Sequence, residues 1–393
     1  MNGTLLKDSM TYQETMIRYR RELHMRAETG FDLPHTCAYI RQTLTEIGYT
    51  TKQIGRSGLI ATIGTGDETI LLRADMDALP IQEKTQLSYT CRNGNAHACG
   101  HDLHTAMLLG AALLLKKYQH QLNKKIVFCF QPAEAKDMLE NGLLEATGAQ
   151  AAMMLHVMNA EGLLPGTIIV PQEGISAPAA DMFEICIKGK GCHGAMPHTG
   201  IDVISTGAHT VLALQNISAR ELGLSDAHAL TIASFRAGEG ANVLPDEAFL
   251  QGSLRCYDEK IRTFMKDRVE AICRLTAETF RATAKVHWLS GCPPLVNHPD
   301  LAGSMTGILK PVLGEERVLS AKELKGNNAR SSGSEDFAYI SQRIPSIMLA
   351  IAAGGINDLP LHHPSVMFNE EVLPYGACAF AAFALNGRVP EKK

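Results

Sequence analysis

Residues 97–106 read HACGHDLHTA, and the apolar run MLLGAALLL follows directly at residues 107–115. The run predicts a helix from about residue 102 to 118 that is apolar around most of its circumference, with Asp102 as its N-cap. Such a helix has to be covered by the other elements of a large core. The histidines, cysteine and aspartate before it are therefore predicted to lie in a loop at the edge of that core.

Strand-like segments occur on both sides of this helix in the sequence. Continuous apolar runs lie at 125–131 and 151–157, and shorter β-rich runs lie at 59–64 and 69–76. Continuous apolar strands are typical of a sheet that is covered on both faces, and here they alternate with helical segments. The predicted fold class is α/β, with a mostly parallel sheet covered by helices.

The pattern changes near residue 178. Residues 183–189, FEICIKG, alternate apolar and polar side chains, which indicates a half-exposed antiparallel strand. The order strand, helix, strand, strand, helix, strand then continues to about residue 290 and predicts an α+β sandwich. The expected domains are a catalytic domain formed by residues 1–177 and 291–393 and an inserted lid or substrate domain formed by residues 178–290.

Composition excludes several classes of partner. The chain has 393 residues, of which 45% are hydrophobic and 20% charged, and its net charge is −4. We therefore expect neither nucleic acid nor an anionic membrane as a partner. The ten cysteines show no short repeating spacing, which indicates reduced thiols. With no apolar run of about 18 residues and no secretory signal, a cytoplasmic location is expected.

Polar side chains collect where the predicted strands end. They are Asp75 and Asp77, then Cys99, His101 and Asp102, then Glu134, His156 and, far along the chain, His362. Cysteine, histidine and carboxylate together suit zinc, manganese, cobalt or nickel, and a catalytic metal needs a nearby base such as Glu134. The alternative is that the histidines only cap the helix and that the thiol is simply buried.

The remaining histidines are less informative. The cluster contains more potential ligands than one metal site can use, so the roles of His97 and His104 stay open. Seven others are expected to be surface or packing residues: His24, His35, His120, His209, His228, His287 and His298.

Six motifs carry a resemblance over nearly the whole chain. RADMDALPI, HACGHDLHTAMLLGAA, FQPAE, GKGCHGAMPHTGIDVI, GSEDFAY and LHHPSVMFNEE occur in this order. Together they resemble the metal-dependent amidohydrolases of the aminoacylase and carboxypeptidase family, which includes hippurate hydrolases, auxin-conjugate hydrolases and N-acetyldiaminopimelate deacetylases. The resemblance implies a catalytic domain with two metals, which would be zinc, manganese, cobalt or nickel, and an inserted lid domain.

The resemblance also implies roles for individual residues. The implied metal ligands are Cys99, His101, His156 and His362. Glu134 matches a general base, Asp77 an aspartate that orients the ligands, and His193 a histidine that stabilises the tetrahedral oxyanion. Asn242 and Arg255 match contacts to the substrate's carboxylate or carbonyl. The alternatives are that Asp77 caps a turn, that His193 is a solvated loop residue, and that Arg255 forms an ordinary salt bridge on a strand.

One position departs from the family pattern. The family has two consecutive glutamates after QPA, a base and then a metal ligand, whereas this chain has Glu134 followed by Ala135. A methyl group cannot coordinate a metal, so occupancy of two metal sites is in doubt. Ala135 is either a substitution in a competent enzyme, a natural feature of an enzyme that uses one metal or borrows Asp137, or the mark of a protein that now only binds ligands.

Three functions compete at this point. The first is metal-dependent hydrolysis of N-acyl amino acids, impaired to some extent by Ala135. The second is a carboxypeptidase or dipeptidase that acts on short peptides, and the third is a ligand-binding protein that has lost catalysis. The expected partner is a small N-acyl amino acid or short peptide. A homo-oligomer remains an option, because edge strands of the lid could pair between subunits.

Overall fold

The structure is a computed structural model that describes residues 2–160, 162–325, 330–354, 356–357 and 359–391. It divides into two compact units. The first unit comprises Met1–Ser176, Val296–Ala329 and Tyr339–Lys393, and the second comprises Ala177–Leu295 and Arg330–Ala338. The predicted domain boundaries stay predictions. The segment Arg330–Ala338, which the sequence assigned to the catalytic part, groups with the inserted unit in the structure.

Strands and helices alternate through the first unit, and strands dominate the second. The strands are β1 (Thr51–Ile54), β2 (Gly58–Ile63), β3 (Thr69–Asp75), β4 (Lys125–Gln131), β5 (Ala151–Met158), β6 (Ile168–Val170), β7 (Gly174–Ala177), β8 (Ala179–Lys188), β9 (Cys192–His193), β10 (His228–Ala237), β11 (Val243–Leu244), β12 (Glu247–Cys256), β13 (Thr283–Cys292), β14 (Leu295–Asn297), β15 (Val318–Ser320) and β16 (Ser346–Ala352). The α-helices are α1 (Asn2–Thr11), α2 (Gln13–Met25), α3 (Pro34–Ile47), α4 (His101–Lys117), α5 (Ala135–Glu140), α6 (Leu143–Thr147), α7 (Val203–Asn216), α8 (Glu259–Thr279), α9 (Pro299–Leu313), α10 (Ala321–Lys325), α11 (Ala338–Ser341) and α12 (Leu373–Asn386).

The first unit is built on an eight-stranded sheet with the order β1-β2-β4-β3-β5-β16-β6-β15. Its centre is parallel, since β3 pairs in parallel with both β4 and β5, and β16 pairs in parallel with β5. The pairs β1 with β2, β2 with β4, and β16 with β6 are antiparallel. The predicted α/β class is confirmed, as a mixed sheet with a parallel centre.

Helix α4 lies in the core of this unit. Its residues from Asp102 to Ala112 are all buried, as are Leu114 and Leu115, so the helix is covered on nearly every side, as its composition predicts. The helix packs against α2 and the equally apolar α12. The prediction that Asp102 caps the helix is wrong. The N-cap is Gly100, and Asp102 lies in the first turn with a fully buried side chain.

The second unit is an α+β sandwich with the predicted order of elements. Its antiparallel sheet has the order β10-β12-β8-β13, and α7 and α8 pack on it. The four sheet strands and two helices follow the chain as β8, α7, β10, β12, α8 and β13. The short strands β9 and β11 pair with each other beside this sheet.

Across the described residues, we find no helix that combines the length and the hydropathy needed to cross a membrane.

Candidate metal centre and active site

Three parallel strands bring the predicted site residues to one edge of the sheet. Asp75 ends β3 and pairs with Gln131 at the end of β4. Arg73 pairs with Met154 of β5, so His156, two residues further along, lies level with Asp75. The carboxyl ends of parallel strands form the usual ligand-binding edge of an α/β sheet.

The thiol of Cys99 lies between two imidazoles. The distance from Cys99 Sγ to His156 Nε2 is 3.6 Å, and the distance to His362 Nε2 is 3.4 Å. His156 donates Nδ1–H to the carbonyl oxygen of Val157 at 2.6 Å, which directs Nε2 towards the sulfur. The main-chain N–H of His362 donates to the carbonyl oxygen of Ala98 at 2.8 Å. This bond joins the distant His362 segment to the residue before Cys99.

His101 contacts two aspartates. Its Nδ1 donates to the main-chain oxygen of Asp77 at 2.8 Å and approaches Asp77 Oδ1 at 3.2 Å. Its Nε2 lies 3.3 Å from Asp75 Oδ2. The structure thus places Asp77 in contact with His101, which is the contact that the predicted orienting role requires. That role itself stays a prediction.

His104 belongs to the same cluster, but both of its nitrogens are engaged. Donor atoms of Asp75, His101, His104 and His156 all lie within 4.8 Å of one another. His104 Nδ1 is 2.6 Å from Asp75 Oδ1, and its Nε2 accepts the main-chain N–H of Val157 at 2.8 Å. Because Nε2 accepts a hydrogen bond, the ring is neutral and carries its proton on Nδ1. We therefore assign His104 to the support of the site and not to the ligands.

The electrostatics of the cluster favour a thiolate. Burial raises the pKa of the Cys99 thiol, but the charges of His101 and His156 outweigh burial and hold that pKa well below its usual range. Burial lowers the pKa of His101, whereas Asp75 and Cys99 raise it further, so the net shift is well upward. The bond to Cys99 raises the pKa of His362 as well. Negative sulfur among imidazoles is the donor set that a soft divalent ion prefers.

The distances also fit a metal ion. In a tetrahedral site with metal–sulfur bonds near 2.3 Å and metal–nitrogen bonds near 2.0 Å, the sulfur and nitrogen ligands lie about 3.5 Å apart. The observed separations of 3.6 and 3.4 Å between Cys99 Sγ and the two imidazole nitrogens match this value. The two distances therefore suit a divalent ion bound by Cys99 with His156 and by Cys99 with His362, whereas the full set of four ligands stays a prediction.

The predicted base, Glu134, and Ala135, the residue that differs from the family pattern, are adjacent at the start of α5. Glu134 is half-buried in an extended conformation directly before α5, and Ala135, the first residue of α5, is fully buried. Asp137 is committed elsewhere, because its Oδ2 accepts the main-chain N–H of Arg56 at 2.9 Å and its Oδ1 lies 3.4 Å from the Arg56 guanidinium. This geometry argues against Asp137 as a borrowed ligand in place of Ala135.

The remaining predicted residues lie in the second unit. The exposed His193 and Asn242 are neighbours, because Gly194 N–H donates to the carbonyl oxygen of Asn242 at 2.7 Å. Ala195 N–H donates to His193 Nδ1 at 3.1 Å. A neutral His193 ring consequently carries its hydrogen on Nε2, as a donor to an oxyanion must.

Arg255 is not part of this pair. It lies on β12 eight residues beyond Glu247, at the opposite end of the strand, which corresponds to about 27 Å of strand length. Arg255 is half-buried, and its guanidinium donates to the main-chain oxygen of Ser332 at 3.3 Å in an exposed contact. In the second unit, therefore, His193 and Asn242 come together and Arg255 does not join them.

A buried cluster of charges next to the site was not predicted from the sequence. His24 was expected to be a surface or packing residue, but it lies within 3.0 Å of two carboxylates, those of Asp102 and Glu83. Arg20, one helical turn earlier on α2, donates to Asp102 as well. The available signal was Asp102 itself, because an aspartate inside an apolar helix needs cationic partners once it is not a cap.

Gly100 provides a test of the loop between Cys99 and His101. Its φ is +85°, and a β-carbon there would overlap the side chain of Val157. We expect Gly100→Ala to lower the free energy of unfolding by about 1–3 kcal/mol and to weaken cobalt(II) binding, because the overlap displaces the two flanking residues that are predicted to be ligands, Cys99 and His101. Denaturant unfolding and a cobalt titration measure the two effects.

Gly94→Ala is the matched control for this substitution. Gly94 has φ +92° but no atom within 4 Å of the added carbon, so it reports backbone strain alone. Equal losses of stability in the two variants, with equal affinity for cobalt, would contradict the role given to Gly100.

A thiol, imidazoles and carboxylates that meet at the carboxyl edge of an α/β sheet define the class of α/β proteins with a candidate divalent-metal site. Comparison with known proteins agrees with this class and narrows it. Residues 71–386 match Peptidase family M20/M25/M40. The chain belongs to this family and is a hydrolase.

Relatives of known name resemble nearly the whole chain. An N-acetyl-L-cysteine deacetylase of Bacillus subtilis (strain 168) is 36% identical over 372 residues, which cover 92% of this chain and 86% of the relative. IAA-amino acid hydrolase ILR1-like 5 of Arabidopsis thaliana is 34% identical, with 94% and 86% covered. Thermostable carboxypeptidase 1 of Saccharolobus solfataricus is 30% identical, with 97% and 98% covered.

Solved structures show the same architecture. A protein of methicillin-resistant Staphylococcus aureus, named as an aminohydrolase, superposes with a TM-score of 0.87 at 29% identity and covers 98% of this chain and 100% of its own. A dinuclear metal-binding peptidase of the M20 family from Bacillus subtilis superposes with a TM-score of 0.76 at 30% identity, with 96% and 98% covered.

Proposed function

We propose that the protein hydrolyses the amide bond of N-acyl amino acids and releases a free amino acid and a carboxylic acid. The observation that carries the proposal is the placement of Cys99 between His156 and His362, at 3.6 and 3.4 Å, with His101 beside them at the carboxyl edge of the sheet. The named relatives include a deacetylase of N-acetylcysteine and a hydrolase of IAA-amino acids. In both of these names the amine released is an amino acid.

Cys99, His101, His156 and His362 would hold divalent metal. Metal at such a site polarises an amide carbonyl and makes water a better nucleophile at neutral pH. The supporting bonds fix the orientation of the rings. Asp77 holds His101 through Nδ1, and Val157 holds His156 through Nδ1, so both rings present Nε2 to the site. Partners of this kind raise the basicity of an imidazole ligand and fix its tautomer.

Glu134 would move the proton. Its carboxylate takes a proton from the attacking water and returns it to the amide nitrogen, which leaves as the amine. Its position immediately before α5, half-buried, gives it a site that is partly shielded from bulk solvent. A carboxylate in such a position acts first as a base and then as an acid in one turnover.

His193 and Asn242 would act on the substrate carbonyl. With Nδ1 occupied by the N–H of Ala195, His193 donates from Nε2 to the oxygen that becomes negative as water adds. Removal of one such donor typically costs about 2.7–4 kcal/mol of activation free energy. Arg255 has a guanidinium that suits a carboxylate, but it lies too far along β12 from His193 and Asn242 to hold the same small substrate molecule together with them.

A second candidate is a carboxypeptidase, which the similarity to thermostable carboxypeptidase 1 favours. Both activities cleave an amide whose nitrogen belongs to an amino acid. They differ in the acyl group, which is a simple acid in one case and a peptide in the other.

A substrate panel tests the proposal. We would measure release of free amino acid from N-acetyl, N-benzoyl and N-indoleacetyl amino acids and from dipeptides, with manganese or zinc added. We expect N-acyl amino acids to be cleaved faster than dipeptides. The matched control is the carboxamide of the best substrate, which should react poorly because it lacks the carboxylate. Faster cleavage of dipeptides would favour the carboxypeptidase, and bound metal with no turnover of any compound would favour a binding protein.

A further inference from the structure

The segment that carries Asp77 and Cys99 is held by isolated main-chain bonds and by buried side chains. Residues 76–100, all of them described, join β3 to α4 without any regular helix or strand of their own. They contain Asp77 and Cys99, and His101 follows directly. Their main chain is paired only by isolated bridges, such as Leu79 with Ala96, and by single hydrogen bonds to distant residues, such as Lys84 N–H to Pro364 O at 2.8 Å. The precision of the ligand positions therefore depends on what fixes this segment from outside.

A buried group of charges provides that support. Asp102, next to His101, has no solvent exposure, and its Oδ2 accepts from both Arg20 Nε and His24 Nδ1 at 2.8 Å. His24 Nε2 lies 3.0 Å from Glu83 Oε1. Glu83, itself buried, accepts the main-chain N–H of Cys91 at 2.9 Å through its other oxygen. One imidazole of α2 thus connects the first turn of α4 to the middle of the 76–100 segment.

The geometry also fixes the charge of that imidazole. Ionised carboxylates only accept hydrogen bonds, so both ring nitrogens of His24 have to donate, and the ring is an imidazolium. Burial by itself lowers the pKa of His24, but the bonds to Asp102 and Glu83 outweigh burial and raise it. Burial of a carboxylate without a cation is unfavourable, and the imidazolium between Asp102 and Glu83 offsets this desolvation cost for both carboxylates.

Arg20 ties the same cluster to further parts of the chain. Its Nη1 donates to the hydroxyl of Tyr89 at 2.7 Å and to Glu370 Oε1 at 3.0 Å. Tyr89 lies in the 76–100 segment, and Glu370 lies shortly before α12. Arg20 and His24 are one turn apart on α2, so one helix face holds both the middle of the segment and the first turn of α4.

We propose that His24 is a positioning residue of the metal site, which as a buried imidazolium between Asp102 and Glu83 fixes the segment that carries Asp77, Cys99 and His101. The inference rests on the proposed function, because it gives a further requirement of the same metal site. His24 does not contact the four residues assigned as ligands. It acts through Asp102 on one side and Glu83 on the other.

His24→Gln is the direct test. Glutamine has about the reach of histidine, but its amide donates to only one of the two carboxylates and turns an oxygen towards the other. We expect cobalt(II) to bind about 10–100-fold more weakly, the range typical for loss of a partner that orients ligands. The thiolate-to-cobalt absorption band of Cys99 reports binding independently of turnover. His120→Gln is the matched control, because His120 is exposed on the surface, and its affinity should equal that of the parent.

The double variant His24→Gln/Glu83→Gln separates positioning from loss of packing. There the oxygen of the first introduced amide can accept a hydrogen bond from the nitrogen of the second, so a hydrogen-bonded bridge to Asp102 re-forms without any buried cation. We expect the cobalt affinity of the double variant to recover towards that of the parent. If His24→Gln alone folds poorly, we expect the double variant to fold better than it does. Failure of the double variant to recover affinity while folded would overturn the proposal.

Nitrogen NMR of the metal-free parent checks the charge state. We expect the His24 ring to carry protons on both nitrogens at neutral pH, and a neutral ring would overturn the proposal. Unchanged cobalt affinity in His24→Gln would also overturn it, while leaving the proposed function intact. A parent chain that binds no cobalt through Cys99 would instead overturn the proposed function, and this inference with it.

Discussion

Ala135→Glu should raise both metal content and turnover. The substitution places a carboxylate immediately after Glu134, at a fully buried position at the start of α5. Loss of a partner that merely orients a ligand typically costs about 10–100-fold in metal affinity or activity, so return of a ligand should restore at least that much. We expect the number of bound metal ions per chain to rise from one towards two. Elemental analysis after dialysis and the amino-acid release assay measure the two changes.

The same variant carries a stability signature. A glutamate at a fully buried position without a cation costs desolvation free energy, so metal-free Ala135→Glu should unfold more readily than the parent. Manganese or zinc should then raise its melting temperature by more than it raises that of the parent, because binding to the folded state is coupled to unfolding.

Ala135→Gln is the matched control, because glutamine fills nearly the same volume without the negative charge. Ala135→Gln should be destabilised by the larger buried side chain and should bind little more metal than the parent. Equal gains in the two variants would show that volume, and not coordination, limits this site. If Ala135→Glu bound no additional metal, the interpretation of Ala135 as a missing ligand would be wrong.

The architecture was predictable because its signals are local. The apolar run of α4 and the continuous apolar strands β4 and β5 each indicate a buried element from a few consecutive residues. The alternation of apolar and polar side chains at 183–189 indicated, equally locally, an antiparallel strand of the second unit. Predicted site residues at the ends of β3 and β5 then follow from the geometry of parallel strands, which places Asp75 level with His156.

What the sequence did not predict depends on distant pairs. Asp102 reads as a helix cap, because no nearby residue shows that Arg20 approaches it from 82 positions earlier in the chain. His104 reads as a spare ligand until the N–H of Val157 is found on its Nε2. Asp137 is available in the sequence, yet its carboxylate binds Arg56. In each case the role depends on a partner that is distant in the sequence, and the local sequence pattern does not identify that partner.

Glu134→Gln should abolish most of the activity and leave the metal in place. An amide of the same shape accepts hydrogen bonds but cannot take a proton from water, and loss of general acid–base catalysis typically costs about 10²–10⁴-fold in rate. Because the parent turns over slowly if Ala135 removes a ligand, the substitution should be measured in the parent and again on the Ala135→Glu background. Initial rates of amino-acid release, with cobalt affinity measured in parallel, separate the loss of a base from the loss of metal.

Glu140→Gln is the control for this substitution, since Glu140 lies at the end of α5 and forms only an exposed pair with Lys136 at 3.7 Å. It should keep full activity, because exposed pairs of this kind contribute little. A large fall in rate with unchanged cobalt binding in Glu134→Gln assigns the proton transfer to Glu134. Retained activity there would mean that another group moves the proton, whereas a parallel loss of cobalt would make Glu134 a ligand, with the task of the base left to a different residue.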